Sequence, residues 1–347
     1  MSQINETNLL IQNTKINNSK KSVNKKINYN IYTKIKIFTF QIILIYIIIV
    51  LLNNINDYNI IKNNNYNLIK VCLCTLGKNE NKYIKEFIEH YKKYGVDKII
   101  LYDNNDINGE RFENIISDYI NNKFVEIKNW RGKKMAQFNI MNNCYQQNYK
   151  IFDWLIFYDI DEFIFLKNFN NIKEFLSQEK FQKCGRIELN WIHRVNETAI
   201  YYENRTLLER FPDKEYNVIN NNKKYYPQIK SILKGHIPNI DIICLHRLTS
   251  QVRACDGFGR KSRDKGFKSI RPDYEYNFIN HYFGKSLEEF IEKINKGCAV
   301  KGKNQKTILA KIYRYFEIYK IDKEKINYIE KYTGLNLTIL KDNIKFI

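Results

Sequence analysis

At 347 residues, 44% apolar and 14% aromatic, the chain is long enough for a large domain with an ample core and too apolar to be disordered throughout. Its formal net charge of +20 favours anionic ligands, nucleotides and membrane headgroups among them. That charge is spread without a dense basic block, and no helix-turn-helix, zinc-finger or RNA-binding signature accompanies it, so no nucleic-acid partner is expected.

Residues 1–36 are polar and rich in Asn and Lys, the composition of a disordered cytosolic tail. From Ile37 to Leu52 there is no charged residue. Sixteen helical residues span roughly 24 Å, short of the ~30 Å of an average hydrocarbon core. Extension to Ile55 and a snorkelling Lys36 make up the difference, which predicts a transmembrane signal anchor over 37–55. Lysines from Lys15 to Lys36 crowd one side, whereas Asp57 is the one charge directly beyond. The positive-inside bias then puts the amino terminus in the cytosol and the rest of the chain in a lumenal or extracytosolic space. The expectation is a single-pass type II protein of the Golgi or ER, with 56–68 as a stem linker.

Beyond the stem the pattern alternates. A strand is predicted over Lys70–Thr75 and a loop at Gly77–Glu80. An amphipathic helix over Tyr83–Tyr94 follows, closed by Gly95 as a C′ residue. Next come a strand over Lys98–Tyr102 ending in Asp103-Asn104, a helix over Phe112–Ile120, a strand over Phe124–Ile127 and a helix over Met135–Gln147. Trp154 then opens the next strand. This order predicts an α/β domain, a mostly parallel sheet flanked by helices, over 69–300. Ligands in such sheets bind beyond the carboxyl ends of the strands, where Thr75, Asp103, Asn104, Asp159 and Asp161 would gather. The second half is less regular, with strands expected at Arg186–Trp191, Ile229–Leu233 and Ile242–Leu245. A helix is expected at Leu287–Lys296, before a helical, basic extension over 301–347. Of seven cysteines, Cys72 and Cys74 read as small buried apolar side chains. A lumenal domain would allow one or two bridges among Cys144, Cys184, Cys244, Cys255 and Cys298.

The run Trp154-Leu155-Ile156-Phe157-Tyr158-Asp159-Ile160-Asp161-Glu162-Phe163 carries the chemistry. Side chains alternate along a strand, so Asp159 and Asp161 are expected on one face, ~6–7 Å apart at the root. Two acids closing a buried strand need partners. A hard divalent cation, Mg²⁺ or Mn²⁺ bridging to a diphosphate, is one answer.

The same run resembles the core motif of family 92 glycosyltransferases, an apolar strand ending in D-x-D-E-F. Val71 to Glu80, Glu86 to Tyr91, Gly95-Val96-Asp97, Tyr102 to Asn105, Gln137, Cys144, Ile279 to Tyr282 and Lys285 to Phe290 match that family's pattern in order, covering roughly residues 69–300. The resemblance implies a GT-A-like fold, a nucleotide-sugar donor, a UDP-sugar by expectation, and a Mn²⁺ or Mg²⁺ site. It implies Asp159 near the donor ribose and the ion, Asp161 as a direct ligand, and His281 as a third ligand with His246 as the alternative. Thr75, Glu80, Asp103, Asn104 and Gln137 are expected toward the donor, with Lys230 and Lys285 against its diphosphate. Plain structural roles compete for several of these: turn formation at Asp103 and Asn104, a helix-terminal role at Glu80, a solvated surface for the lysines.

An inverting transfer to a glycan or glycoconjugate hydroxyl, also implied by the family, needs a carboxylate base. Glu197, Glu209 and Asp256 lie in the half where an acceptor would bind. Trp130 and Trp191 are candidates to stack on a sugar, with core packing as the competing role. The rival reading is a membrane-anchored, non-catalytic glycan-binding protein that keeps the fold without turnover.

Overall fold

The structure is a computed structural model that describes residues 36–52, 68–134, 136–196, 198–211, 227–262, 267–296, 308–309, 311–313, 315 and 322–337. Those residues fall in two units divided between Asn65 and Tyr66.

In the first unit residues 36–52 form helix α1. Its apolar side chains are exposed along its whole length, Ile37 and Leu52 included. Residues 53–55 of the expected anchor lie outside the described residues. Among the described residues no helix is long and apolar enough to cross a membrane.

The second unit is a mixed α/β sheet with helices. Its first half follows the expected alternation: β1 (Val71–Gly77), α2 (Ile84–Lys93), β2 (Lys98–Asp103), α3 (Glu113–Asn121), β3 (Val125–Asn129), α4 (Gln137–Asn148) and β4 (Trp154–Phe157). Then come β5 (Glu162–Leu166), α5 (Ile172–Leu176), β6 (Arg186–His193), α6 (Leu207–Arg210), β7 (Ile229–Lys234), β8 (Ala254–Asp256), β9 (Asn277–His281), α7 (Leu287–Asn295) and α8 (Lys323–Thr333). The strands lie in the order β3-β2-β1-β4-β7-β6-β9-β5, and β8 pairs with β6. Strands β1 to β4 are mutually parallel, whereas β7 runs antiparallel to both β4 and β6.

Parallel strands covered on both faces read as unbroken apolar runs rather than alternating ones, and β1 is such a strand. Val71 and Leu73 pack with Ile84, Phe87 and Ile88 of α2. Cys72 and Cys74 face the other way, into a cluster with Ile140, Met141 and Cys144 of α4. Helix α2 starts where the Glu80 carbonyl accepts from the amides of Tyr83 and Ile84. It ends at Gly95, whose φ of 82° is the left-handed conformation that favours glycine.

Several expectations change. Cys74 is bonded to Cys144 and Cys184 to Cys255. The helix face of α4 brings a thiol to β1, which strand spacing alone does not reveal. Ile242–Leu245 is an irregular segment whose one ladder contact is an isolated bridge between Cys244 and Leu248. Cys298 lies outside the described residues. In the 301–347 region, Ile312, Tyr315, Ile326, Ile329 and Leu337 share one apolar cluster with Leu287, Phe290, Ile291 and Ile294 of α7.

Candidate active site

The sheet changes direction of growth at β1, with β2 on one side and β4 on the other. Beyond the carboxyl ends of two such strands lies the crevice where α/β sheets hold ligands. Asp159 and Asp161 stand there, but not on a strand. Strand β4 stops at Phe157, and residues 158–161 turn so that the Glu162 amide donates to the Asp159 carbonyl over 3.0 Å. The turn ends the two-residue alternation, so the expected shared strand face is replaced by divergent neighbours.

Asp159 accepts from Lys230 Nζ at 2.9 Å and from Gln137 Nε2 at 3.4 Å. Its side chain keeps 37% exposure. Asp161 is buried, with Lys293 Nζ at 2.6 Å on Oδ2 and His281 Nε2 3.6 Å from Oδ1. Glu162 is fully buried, accepts from the Asp159 amide at 3.2 Å and lies 3.3 Å from Lys230 Nζ. The antiparallel β5–β9 ladder sets Glu162 directly opposite His281, and facing residues in a ladder share a side of the sheet. One oxygen each of Asp161 and Glu162 and one nitrogen of His281 therefore lie within 4.8 Å of one another.

The four charges do not behave alike. Burial works to raise the Asp161 carboxyl, but Lys293 and His281 hold it well below the usual range. Asp159 is likewise held low by Lys230 against its burial. Glu162 goes the other way: burial, reinforced by the neighbouring aspartates, outweighs Lys230 and pushes its carboxyl well above the usual range. Lys230, despite burial, is raised by Asp159 and Glu162.

Two carboxylates and one imidazole, all buried, make a donor set suited to a small divalent cation. Carboxylate oxygen favours Mg²⁺ or Mn²⁺, and an imidazole nitrogen favours the transition metal of the two. The residues present therefore fit a Mn²⁺-type site made by Asp161, Glu162 and His281. Asp159, expected as a ligand, stands at its edge paired with Lys230. His246 lies outside this trio: its Nδ1 is 2.9 Å from the Ile229 carbonyl and its ring packs on Trp191.

Other expected residues occupy defined places. The Thr75 hydroxyl is buried and has no hydrogen-bond partner among the described residues. Glu80 pairs with Lys296, and its other oxygen lies 3.9 Å from Lys285 Nζ. Lys285 is buried, with a left-handed φ of 54°, its ammonium 4.0 Å above the Tyr83 ring. Burial and the nearby lysines press its amine below the usual range. Asp103 is held by Arg131 and by the Asn105 amide at 2.9 Å, while Asn104 donates to the carbonyls of Trp130 and Lys133. These two residues fasten the loop after β2 to the 130–133 turn, in keeping with the turn-forming role.

Of the base candidates, Glu197 lies outside the described residues. Glu209 closes the capping box of α6 with Thr206. Asp256 pairs with Arg260 at 2.8 Å and caps the 256–260 turn. Trp191 is buried with its ring 4.1 Å from that of His281. Trp130 is half-buried, edge-on to Tyr102.

Sequence reasoning missed Glu162 as a ligand-type residue and missed Lys293 altogether. Glu162 was visible as a third acid in the motif. Lys293 carries no local signal, since it reaches Asp161 from a helix 132 residues away.

Comparison with known proteins supplies the last observation. The chain is 24% identical over 232 residues to a glycosyltransferase family 92 protein of Ricinus communis, covering 66% of this chain and 38% of that one. A family 92 protein of Oryza sativa subsp. japonica is 28% identical over 95 residues, 27% of this chain and 16% of that one. The chain thus spans less than half the length of the curated relatives it matches. Among solved structures, S. aureus TarS in complex with UDP-GlcNAc is 11% identical, with 76% of this chain and 72% of that chain covered at a TM-score of 0.34. The mannosyltransferase PcManGT from Pyrobaculum calidifontis, in complex with GDP-Man and Mn²⁺, is 9% identical over 35% of this chain and 36% of that one, at a TM-score of 0.28. Residues 68–313, well over half of the chain, match the sequence profile of glycosyltransferase family 92, and the chain belongs to this family.

Proposed function

We propose that the protein is a metal-dependent glycosyltransferase, moving a sugar from a nucleotide-sugar donor, a UDP-sugar by preference, to a glycan or glycoconjugate hydroxyl with inversion. The observation that carries this reading is the buried trio of Asp161, Glu162 and His281 at the carboxyl edge of β4. Family membership supports the reaction class.

Each residue then has a task. Asp161, Glu162 and His281 hold the cation, which when bound supplies Lewis-acid charge for the departing diphosphate. Lys285, a buried cation on strained backbone, adds fixed positive charge beside Glu80 and Asp161, where a preorganised charge is worth most to a developing anion. Thr75 offers a buried hydroxyl with no hydrogen-bond partner among the described residues at the end of β1, where a donor's base or ribose needs hydrogen bonds. Gln137 and Lys230 fix the rotamer of Asp159.

The anchored, extracytosolic placement belongs to the same reading. Its supports are the exposed apolar surface of α1, the lysines before it, and two disulfides of the kind that persist in oxidising compartments.

The test is release of nucleoside diphosphate by the full chain in detergent, across a panel of nucleotide sugars with Mn²⁺. Metal-dependent turnover is expected, abolished by chelator and reduced at least ~100-fold by Asp161→Ala, in the range of losing one electrostatic stabiliser. Full activity of Asp161→Ala in chelator would overturn the metal assignment. Glycan binding without turnover of any donor would favour the non-catalytic rival.

A further inference from the structure

We propose that the surface built by residues 246–271 receives the acceptor, and that the acceptor is a glycan bearing anionic groups: carboxylate, sulfate or phosphate. This rests on the glycosyltransferase reading above and names its acceptor class.

Charge that is dispersed along the sequence is gathered by the fold. Residues 247–271 hold eight Lys and Arg against Asp256 and Asp264, with no more than two basic residues in a row. Strands β6 and β8 run parallel with Glu188 opposite Asp256, which sets the two carboxylates on one face of the sheet. Each is shared by two arginines. Arg186 Nε lies 3.0 Å and Arg247 Nε 3.7 Å from Glu188, whose other oxygen accepts from the Ser262 hydroxyl. Arg260 Nε lies 2.8 Å and Arg271 Nη2 3.8 Å from Asp256. Guanidinium groups stay protonated, so even two ionised carboxylates leave these four arginines with surplus positive charge.

In each pair one arginine is held and the other is loose. Arg186 is buried and also donates to the Thr249 carbonyl, and Arg260 is within hydrogen-bond distance of Asp256. Arg247 and Arg271 stand beyond that distance, with side chains 33% and 37% exposed. Arg247 Nε has no hydrogen-bond partner among the described residues, and Arg271 gives an N–H to the Lys261 carbonyl. A planar fork with N–H groups to spare matches carboxylate, sulfate and phosphate oxygens. Arg253, Lys261 and Lys268 of the same segment are exposed. Phe258 and Phe267 are exposed too, offering ring surface on which the apolar face of a sugar can rest.

The segment adjoins the acid cluster. The Ile229 amide donates to the Phe267 carbonyl at 3.0 Å, and the Ser269 amide to the Pro227 carbonyl at 2.8 Å. The next residue of β7 is Lys230, which holds Asp159. The Phe267 ring lies 5.5 Å from that of His246, His246 5.2 Å from Trp191, and Trp191 4.1 Å from His281. A glycan held by the arginines can therefore extend toward the trio. A basic, aromatic surface also suits nucleic acid or an anionic membrane. Family membership and the two disulfides favour a glycan met in an oxidising space. Arginines that only fastened this segment to β6 and β8 would support stability without distinguishing charged from neutral glycans.

The experiment measures binding to the full chain in detergent by isothermal titration calorimetry at low and high salt. The probes are oligogalacturonate, its methyl ester, which keeps the sugars and removes the charge, and one sulfated and one phosphorylated oligosaccharide. At least one anionic glycan is expected to bind ~10-fold or more tighter than the ester, in the range of a hydrogen bond to a charged group, and the preference is expected to shrink as salt rises. The Arg247→Gln, Arg271→Gln double variant is expected to lose most of that preference. Arg253→Gln with Lys268→Gln serves as a second variant should circular dichroism show the first unfolded. The tightest glycan is also expected to change nucleoside diphosphate release from the donor, as acceptor or as inhibitor, at a concentration that the variant raises. No preference for charged glycans in the wild type, a preference kept by both variants, or donor turnover indifferent to bound glycan would overturn the proposal. Tighter binding of single-stranded DNA or of phosphatidylserine vesicles than of any anionic glycan would overturn it in favour of those partners. Absence of turnover with every donor, while charged glycans still bind through these arginines, would overturn the glycosyltransferase reading instead.

Discussion

Glu162 is a buried carboxyl 3.3 Å from Lys230 and flanked by two aspartates. Its elevated proton affinity is the response of an acid that lacks enough positive charge around it, and a cation at the trio would relieve it. Glu162→Gln keeps the volume and removes one ligand charge. Sugar transfer is expected to fall at least ~100-fold, while the thermal midpoint holds or rises, because replacing a buried charge is often neutral or stabilising. A variant with near-normal transfer at the same Mn²⁺ concentration would remove Glu162 from the trio. At this scale the acid motif was legible and its geometry was not. Alternation puts Asp159 and Asp161 on one face, and only the turn after Phe157 directs one toward Lys230 and the other toward Lys293.

Between elements, the contact of α2 with β5 has a titratable group inside it. His90 packs against Phe163 and Tyr94, with Nε2 3.0 Å from the Ile164 carbonyl, so the neutral ring donates its N–H there. Burial lowers its pKa from 6.5 to about 4. The unfolded chain takes up the proton first, so this contribution to stability is complete above pH 6.5 and drains away as pH falls toward 4. After allowance for partial exposure the loss is about 2 kcal/mol. Urea unfolding at pH 7 and pH 4 is expected to show a difference smaller by that amount in His90→Gln than in the wild type. An unchanged difference would mean that His90 already titrates normally. The element pattern itself was readable for β1 through β4, where short apolar runs such as those of β1, β2 and β4 alternate with segments of helical length. It failed at Ile242–Leu245 and passed over β5 and β9, short strands that acquire their identity by pairing with each other rather than from propensity.

For the molecule as a whole, the proposed topology makes a demand that one membrane preparation can check. An anchored chain is expected to stay in the membrane pellet after alkaline carbonate extraction, with more than about nine-tenths retained, because an apolar helix leaves hydrocarbon at a cost of several kcal/mol. Release into the supernatant would remove the anchor and the type II orientation together. The disulfides supply a separate constraint, since Cys74–Cys144 ties β1 to α4 and Cys184–Cys255 ties the entrance of β6 to β8. Each closes a loop of about 70 residues, the kind of link that restricts the unfolded chain most.

The sequence by itself determined the alternating α/β half, the apolar stretch near the amino terminus, the acid motif and the family. These are local or ordered features, written in periodicity and in motifs met one after another along the chain. The trio of Asp161, Glu162 and His281, the lysines that neutralise it and the pairing of the cysteines were decided only by tertiary structure. They join residues as far as 132 positions apart, and no local pattern records which distant side chain a folded sheet will bring to a given carboxylate.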